Sequence, residues 1–215
     1  MSAPLPPRQR VRALAQRRGD ARGIPVPLAH RLAARIQERD WEDFTCDPTQ
    51  LANGLRDLAD AVAPDGVAVC VPEVLLEGGR DVAAADQTAA ALEATRRLRT
   101  SFGDRLALLA VLPGPADVDG GTAGVLACAK EFLAAGADGV VVLGQPGGSL
   151  STLANVARFH QAVALGDDPA HGLPVVERRP LDDPAPATGV VLTDVSLDRD
   201  TDVSALEDWV LAVRG

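Results

Sequence analysis

The sequence predicts an α/β fold, a reduced or incomplete (β/α)8 TIM-like barrel with parallel strands inside and helices outside. Three observations predict it. Short runs such as Val67–Val71, Leu106–Leu112 and Val140–Leu143 are apolar on both faces. Strands of a parallel sheet covered on both sides have that character. Longer segments between them repeat their apolar residues at helical spacing, and the two kinds alternate along the chain. That order calls for parallel strands joined by crossover helices. The pattern holds about six strand candidates, where a complete barrel of this class has eight. A shortened barrel, an open barrel and a doubly wound sheet all fit that number.

The elements follow in order. Residues 1–7 read as a loose tail and residues 8–215 as a single domain. Residues 8–18 form a basic helix with Val11, Leu14 and Ala15 on one face, ended by Gly19 to Gly23. Ile24-Pro25-Val26-Pro27-Leu28 is extended, and its prolines confine it to an edge or a frayed first strand. Residues 29–39 return to helix. Asp47-Pro48 opens another, with Asp at the N-cap and Pro at the first helical position. It runs to about Ala63 on a stripe of Leu51, Leu55, Leu58 and Val62. Asp65-Gly66 leads into the strand from Val67, which stops at Pro72-Glu73.

Residues 77–87 read as a loop or lid, 86–100 as an amphipathic helix and 106–112 as a strand. The most informative stretch is 126–145. Leu126, Lys130 and Leu133 lie at helical spacing, and Gly136 can take the left-handed conformation that stops a helix. Asp138-Gly139 turns the chain into a buried strand that ends at Gly144-Gln145. Residues 150–165 read as helix, Leu173–Val176 as a short strand and 177–188 as a proline-rich loop. Gly189–Leu192 is the last strand and 202–213 the last helix.

Composition excludes some functions. The formal net charge is −9, which argues against a nucleic-acid binder. The charge is uneven, because residues 1–40 carry nine Arg and three acids, about +6. A basic arm of this kind either solvates a helix resting on an acidic body or meets an acidic partner. The three cysteines, Cys46, Cys70 and Cys128, form no disulfide framework or CxxC pair. Nor does any His-x-Cys pair exist, so no metal site is expected. An apolar signal core and a membrane-length apolar run are both lacking. The expected location is cytoplasmic, with no membrane partner.

Several segments together resemble the uroporphyrinogen decarboxylase family, whose barrel is shared with corrinoid-dependent methyltransferases. They are Arg8–Leu14, Ile24-Pro25-Val26-Pro27, Asp47–Ala52 and Pro64–Val69, then Leu98–Arg105 to Gly114-Pro115, Ala135–Gly139, and Asp202–Gly215. The chain is shorter than a usual member, and the deficit falls after residue 148. The resemblance implies a barrel that removes carboxylates from acetate side chains of a tetrapyrrole without a cofactor.

Arg31-Leu32-Ala33-Ala34-Arg35 has the spacing of the family's Arg pair, displaced by one residue. Two arginines four apart share a helix face and can grip an anionic small molecule bidentately. Two solvent-facing arginines on an amphipathic helix are the alternative. The family's catalytic Asp position holds Pro72, with Glu73 one place beyond, and no Tyr exists in the chain. Asp194-Val195-Ser196 replaces a late Gly-His. Glu73 and Asp194 are therefore the candidate catalytic acids, while Arg31, Arg35, Gln145 and Ser149 are the candidate substrate-binding residues.

These residues lead to two expectations. One is a divergent relative that binds an anionic small molecule and acts as a lyase, a decarboxylase or a transferase. The other is a non-catalytic barrel that serves in assembly or partner binding, as a homodimer or with a protein partner over its exposed edges.

Overall fold

The computed structural model describes residues 5–16 and 22–215. Helix α1 (Pro7–Ala15) is followed by β1 (Gly23–Val26), α2 (His30–Ile36), α3 (Trp41–Cys46), α4 (Pro48–Val62) and β2 (Gly66–Cys70). Then come α5 (Pro72–Glu77), α6 (Asp86–Phe102), β3 (Ala107–Pro113), α7 (Thr122–Ala135) and β4 (Gly139–Leu143). Helix α8 (Ser151–Phe159), β5 (Val163–Gly166), a 3-10 turn (Pro169–His171), β6 (Glu177–Arg179), β7 (Gly189–Thr193) and α9 (Val203–Arg214) complete the order. The fold is α/β, with parallel strands flanked by helices. No helix of the described residues is long and apolar enough to cross a membrane.

The local signals act where expected. Asp47 caps α4 by accepting from Gln50 N–H at 3.0 Å and Thr49 N–H at 2.7 Å. Those two amide bonds hold its carboxyl below the usual carboxylate range. Gly136 ends α7 at φ +105°, a left-handed conformation that only glycine takes freely. The helix expected to reach residue 18 is described as far as Ala15, and its expected glycine stop begins outside the described residues. Of the expected tail, Leu5 and Pro6 are described and Pro7 already begins α1.

The structure corrects three expectations. Residues 150–165 are not one helix: α8 ends at Phe159, Gln161 turns at φ +57°, and β5 begins at Val163. A short apolar run can end a helix or form a buried strand, and periodicity alone does not decide between them. Pairing with β4 decides it here. Of the strand expected at Leu173–Val176, Val175 makes an isolated parallel bridge to Gly166, and the strand proper follows at Glu177–Arg179, in what read as loop. Its charged residues are tolerated because no α-helix lies between β5 and β6 or between β6 and β7. Finally, Pro72 does not only stop a strand. It opens α5, which takes the start of the expected lid, while Trp41–Cys46 forms a helix that had no clear sequence signal.

Hydrogen bonds arrange the strands as β1-β7-β6 and β2-β3-β4-β5, all pairs parallel. Two seams separate these sheets, and prolines account for both. At the first, Leu28 N–H donates to Thr193 Oγ1 at 3.1 Å and Leu28 C=O accepts from Leu197 N–H at 2.7 Å. Leu28 thus turns its polar groups toward β7, and by alternation Pro25 and Pro27 face β2. Proline has no N–H to give there. At the second seam, Gly166 N–H donates to Pro174 C=O at 3.0 Å and Val176 N–H to Gly166 C=O at 2.8 Å. The next step back along β5 would need an N–H from residue 174, which is proline, and the pairing stops.

The apolar core divides by strand parity. Leu109, Val111 and Val141 belong to a cluster that draws on β1 and β7 as well as β2–β5, closed at one end by Val11 of α1. Leu108, Ala110 and Val140 belong to a second cluster between the strands and the helices. Alternate residues of one strand therefore serve two cores.

The amino ends of the strands are held by carboxylates. Asp138, just before β4, is 3% exposed. It accepts from Leu108 N–H at 3.0 Å and Arg8 Nε at 2.9 Å, and pairs with Arg99 of α6. Its own N–H donates to Leu108 C=O at 2.7 Å and its C=O accepts from Val163 N–H at 3.1 Å. Asp65, before β2, pairs with Arg10 at 2.9 Å and Arg214 at 3.1 Å. The basic helix is thus docked under the strands by ion pairs at their starts.

Two predictions follow from these bonds. Asp138→Ala should lower stability by about 3 kcal/mol, because it leaves two guanidinium groups and a buried amide without their acceptor. Urea unfolding checks this. In amide exchange, Ala164, whose peptide faces the stopped seam, should exchange about tenfold faster than Val163, whose N–H is bonded to Asp138.

Candidate functional site

In parallel α/β architectures ligands bind at the carboxyl ends of the strands. Here the ends of β3 and β4 approach backbone to backbone. A Cβ added at Gly114 would lie 2.4 Å from the Gln145 carbonyl, and one at Gly147 would lie 2.8 Å from Ala116 N. The glycines of Gly144-Gln145-Pro146-Gly147 permit that approach, sealed by a 3.2 Å bond from Ala116 N–H to Gln145 C=O.

The amides of this turn do not face outward empty. Gly144 N–H donates to Asp167 Oδ2 at 3.1 Å, and Gln145 N–H donates to Asp117 Oδ2 at 3.1 Å. Asp117, Gln145, Asp167 and Asp168 line a cavity of about 500 Å3 together with Gly144 and Pro146. Asp168 is engaged too, capping the 3-10 turn through Ala170 N–H at 2.7 Å.

Asp167 joins several elements. His171 Nε2 stands 3.3 Å from its Oδ1 and Arg178 stands 3.8 Å from its Oδ2. Arg178 also donates to the Asp194 carbonyl. The His171 side chain is 0% exposed, and neither ring nitrogen makes a hydrogen bond of normal geometry. Its backbone C=O accepts from Leu150 N–H at 2.8 Å, tying the turn to the start of α8.

The six residues singled out by sequence are distributed around this end. Gln145 lies in the acidic cavity. Ser149 serves α8, its Oγ accepting from Ser151 N–H at 3.3 Å. Asp194 is half-buried and bonds through its backbone to Arg179 and Arg178. Glu73 sits half-buried in the first turn of α5. Arg31 lies over the Trp41 ring at 4.3 Å, and Arg35 donates to the Thr201 carbonyl at 3.0 Å. The two arginines thus have different neighbours.

Sequence reasoning missed Asp117, Asp167, His171 and Arg178. A signal for Asp167-Asp168 was present: Asp168-Pro169 is the same helix-opening pair that located α4. Reading helix through residue 165 hid the strand end on which these acids stand.

A second buried histidine, His30, begins α2 and is 2% exposed. Burial lowers its pKa to about 4, with the Val69 backbone raising it only in part. Neither ring nitrogen has a hydrogen bond of normal geometry. Among the described residues no group of three His, Cys, Asp or Glu side chains is placed to hold a metal ion. The Cys70 and Cys128 thiols are buried rather than activated, since burial pushes Cys70 well up and Cys128 to about 12.

No family model matches the chain, and the search of curated proteins gives no match. Among solved structures, a methyltransferase from Methanosarcina mazei is similar with a TM-score of 0.67 and 13% identity. The alignment covers 97% of this chain and 98% of that one. At this identity the likeness is one of fold, and it extends over nearly the whole chain.

His30 yields a pH prediction. Its folded pKa, about 4, lies below the unfolded value of 6.5, so between them the unfolded chain binds the extra proton. Stability should be complete above pH 6.5 and fall on the order of 3 kcal/mol as pH drops toward 4. His30→Gln should flatten that part of the profile, as measured by urea unfolding across the range.

Proposed function

We propose that this chain is a shortened, non-catalytic barrel of the uroporphyrinogen decarboxylase superfamily, closed to anions at its strand ends, that serves in assembly or partner binding. On this reading the two sheets are arcs of one small seven-stranded barrel. Support comes from the shared apolar cluster, from the bonds of Gly166 that bridge one seam, and from the full-length likeness to a methyltransferase. The ordered segments resembling the decarboxylase family support the same lineage.

The observation that carries the functional reading is the pair of strand-end amides capped by the protein's own acids. Backbone N–H groups at such a turn are the natural cradle for a phosphate or carboxylate. Gly144 and Gln145 give theirs to Asp167 and Asp117. A ligand anion would have to displace a tethered carboxylate and approach Asp168 as well. Local negative charge opposes that. The residue positions that carry the family's chemistry point the same way: Pro72 stands for the Asp, no Tyr exists, and Asp194-Val195-Ser196 replaces Gly-His.

A thermal-shift series tests the reading. Wild type should show no specific shift with citrate or uroporphyrin. Asp117→Asn/Asp167→Asn, which removes the internal anions, should gain a citrate shift of a few degrees. A wild-type shift with either anion that disappears in Arg31→Ala/Arg35→Ala would overturn the proposal. It would favour the anion-binding lyase or transferase, with Glu73 and Asp194 as its acids.

A further inference from the structure

The stopped seam between β5 and β6 has a consequence at the opposite end of the strands from the acidic cavity. Alternation sets the peptide groups of β5. Val163 and Asp167 donate toward the β4 side, at 3.1 Å to Asp138 and 3.1 Å to Val142, while Gly166 donates toward Pro174. Ala164 therefore turns its peptide to the β6 side, where Pro174 has no N–H to return. No α-helix crosses between β5, β6 and β7 to cover the gap. In a layered fold each strand face needs a cover, and among the described residues no helix between these strands supplies it here.

The gap is a crevice of about 640 Å3, within the range of small-molecule sites. Its walls mix apolar side chains, from Leu14 and Ala15 of α1, Val163 and Leu165 of β5, and Val176 and Val190 beside β6 and in β7, with polar surface that includes Thr188. Val163, Val176 and Val190 belong to the inner cluster, so the crevice reaches the central core. Among the described residues two charged ones line it, Arg158 and Glu177. Glu177 is neutralised by Arg179, at 2.7 Å from Nε and 2.6 Å from the second nitrogen. Arg158 donates to Asn155 Oδ1 at 2.5 Å and, among the described residues, has no acidic partner. Among the described residues, the crevice thus combines buried apolar side chains with one cation that has no acidic partner.

We infer that this crevice binds an aliphatic carboxylate, with the chain against Leu14, Val163 and Val176 and the carboxylate at Arg158. The charge selects the head group, because a guanidinium pairs bidentately with a carboxylate. The Val, Leu and Ala side chains select the tail, because they offer no polar partner. The site is separate from the acidic cavity and holds whether or not that cavity is catalytic.

Decanoate and decanol are the probes, titrated calorimetrically into the full chain. Decanoate should bind saturably at one site and more tightly than decanol. Arg158→Gln, at an exposed position, should weaken decanoate about tenfold and leave decanol unchanged. Ala15→Phe, which fills the crevice, should abolish binding of both while the protein still melts cooperatively. Decanoate should also slow amide exchange at Ala164. Absence of saturable binding, an affinity indifferent to Arg158→Gln, or protection confined to other segments would each overturn the inference.

Discussion

Asp138 is the residue on which the arrangement of strands depends. One buried carboxylate accepts from the first residues of β3, from α1 and from α6, while its peptide group bonds to β3 on one side and β5 on the other. A charge this deep is tolerable only because each oxygen has a cationic or amide donor. It therefore sets where three strands begin relative to one another, and it docks the basic helix beneath them. Part of the chain's charge asymmetry, basic at the start and acidic beyond it, is neutralised locally. Arg8 and Arg10 meet Asp104, Asp138 and Asp65 at strand starts.

Much of the architecture was legible because it is written in pairs of signals that agree. Asp47-Pro48 opens α4 and Gly136 closes α7, and the runs through Val67, Leu109 and Val141 are buried on both faces as parallel strands require. Legibility failed where one short signal had two physical meanings. Ala162-Val163-Ala164-Leu165 can extend a helix or make a strand, and only its neighbour β4 chooses. Glu177-Arg178-Arg179 lacks every apolar mark of a strand, because the helix that would demand apolar cover is missing there.

The candidate site was less legible, for a related reason. Gln145 was found because it follows a clear strand. Asp117 and Asp167 act through backbone amides of a distant turn, a relation that spacing along the chain does not encode. Arg31 and Arg35 share a helical pattern, yet one stacks on Trp41 and the other reaches the Thr201 carbonyl. A face defined by periodicity says which side chains are neighbours. It does not say what stands opposite them.

The pairing of β1 with β7 joins residues separated by most of the chain, Ile24 to Val190 and Val26 to Leu192. By contrast, β2, β3, β4 and β5 pair with their successors in sequence. Loop-closure entropy makes the long pairing the slow one. During synthesis the four-stranded unit can assemble while β7 is still unmade, and β1 must wait beside it. The prolines that deny β1 a ladder to β2 therefore have a role in time as well as in space. They keep the waiting strand from zipping onto the first edge offered, so that its hydrogen bonds remain free for the partner that arrives last.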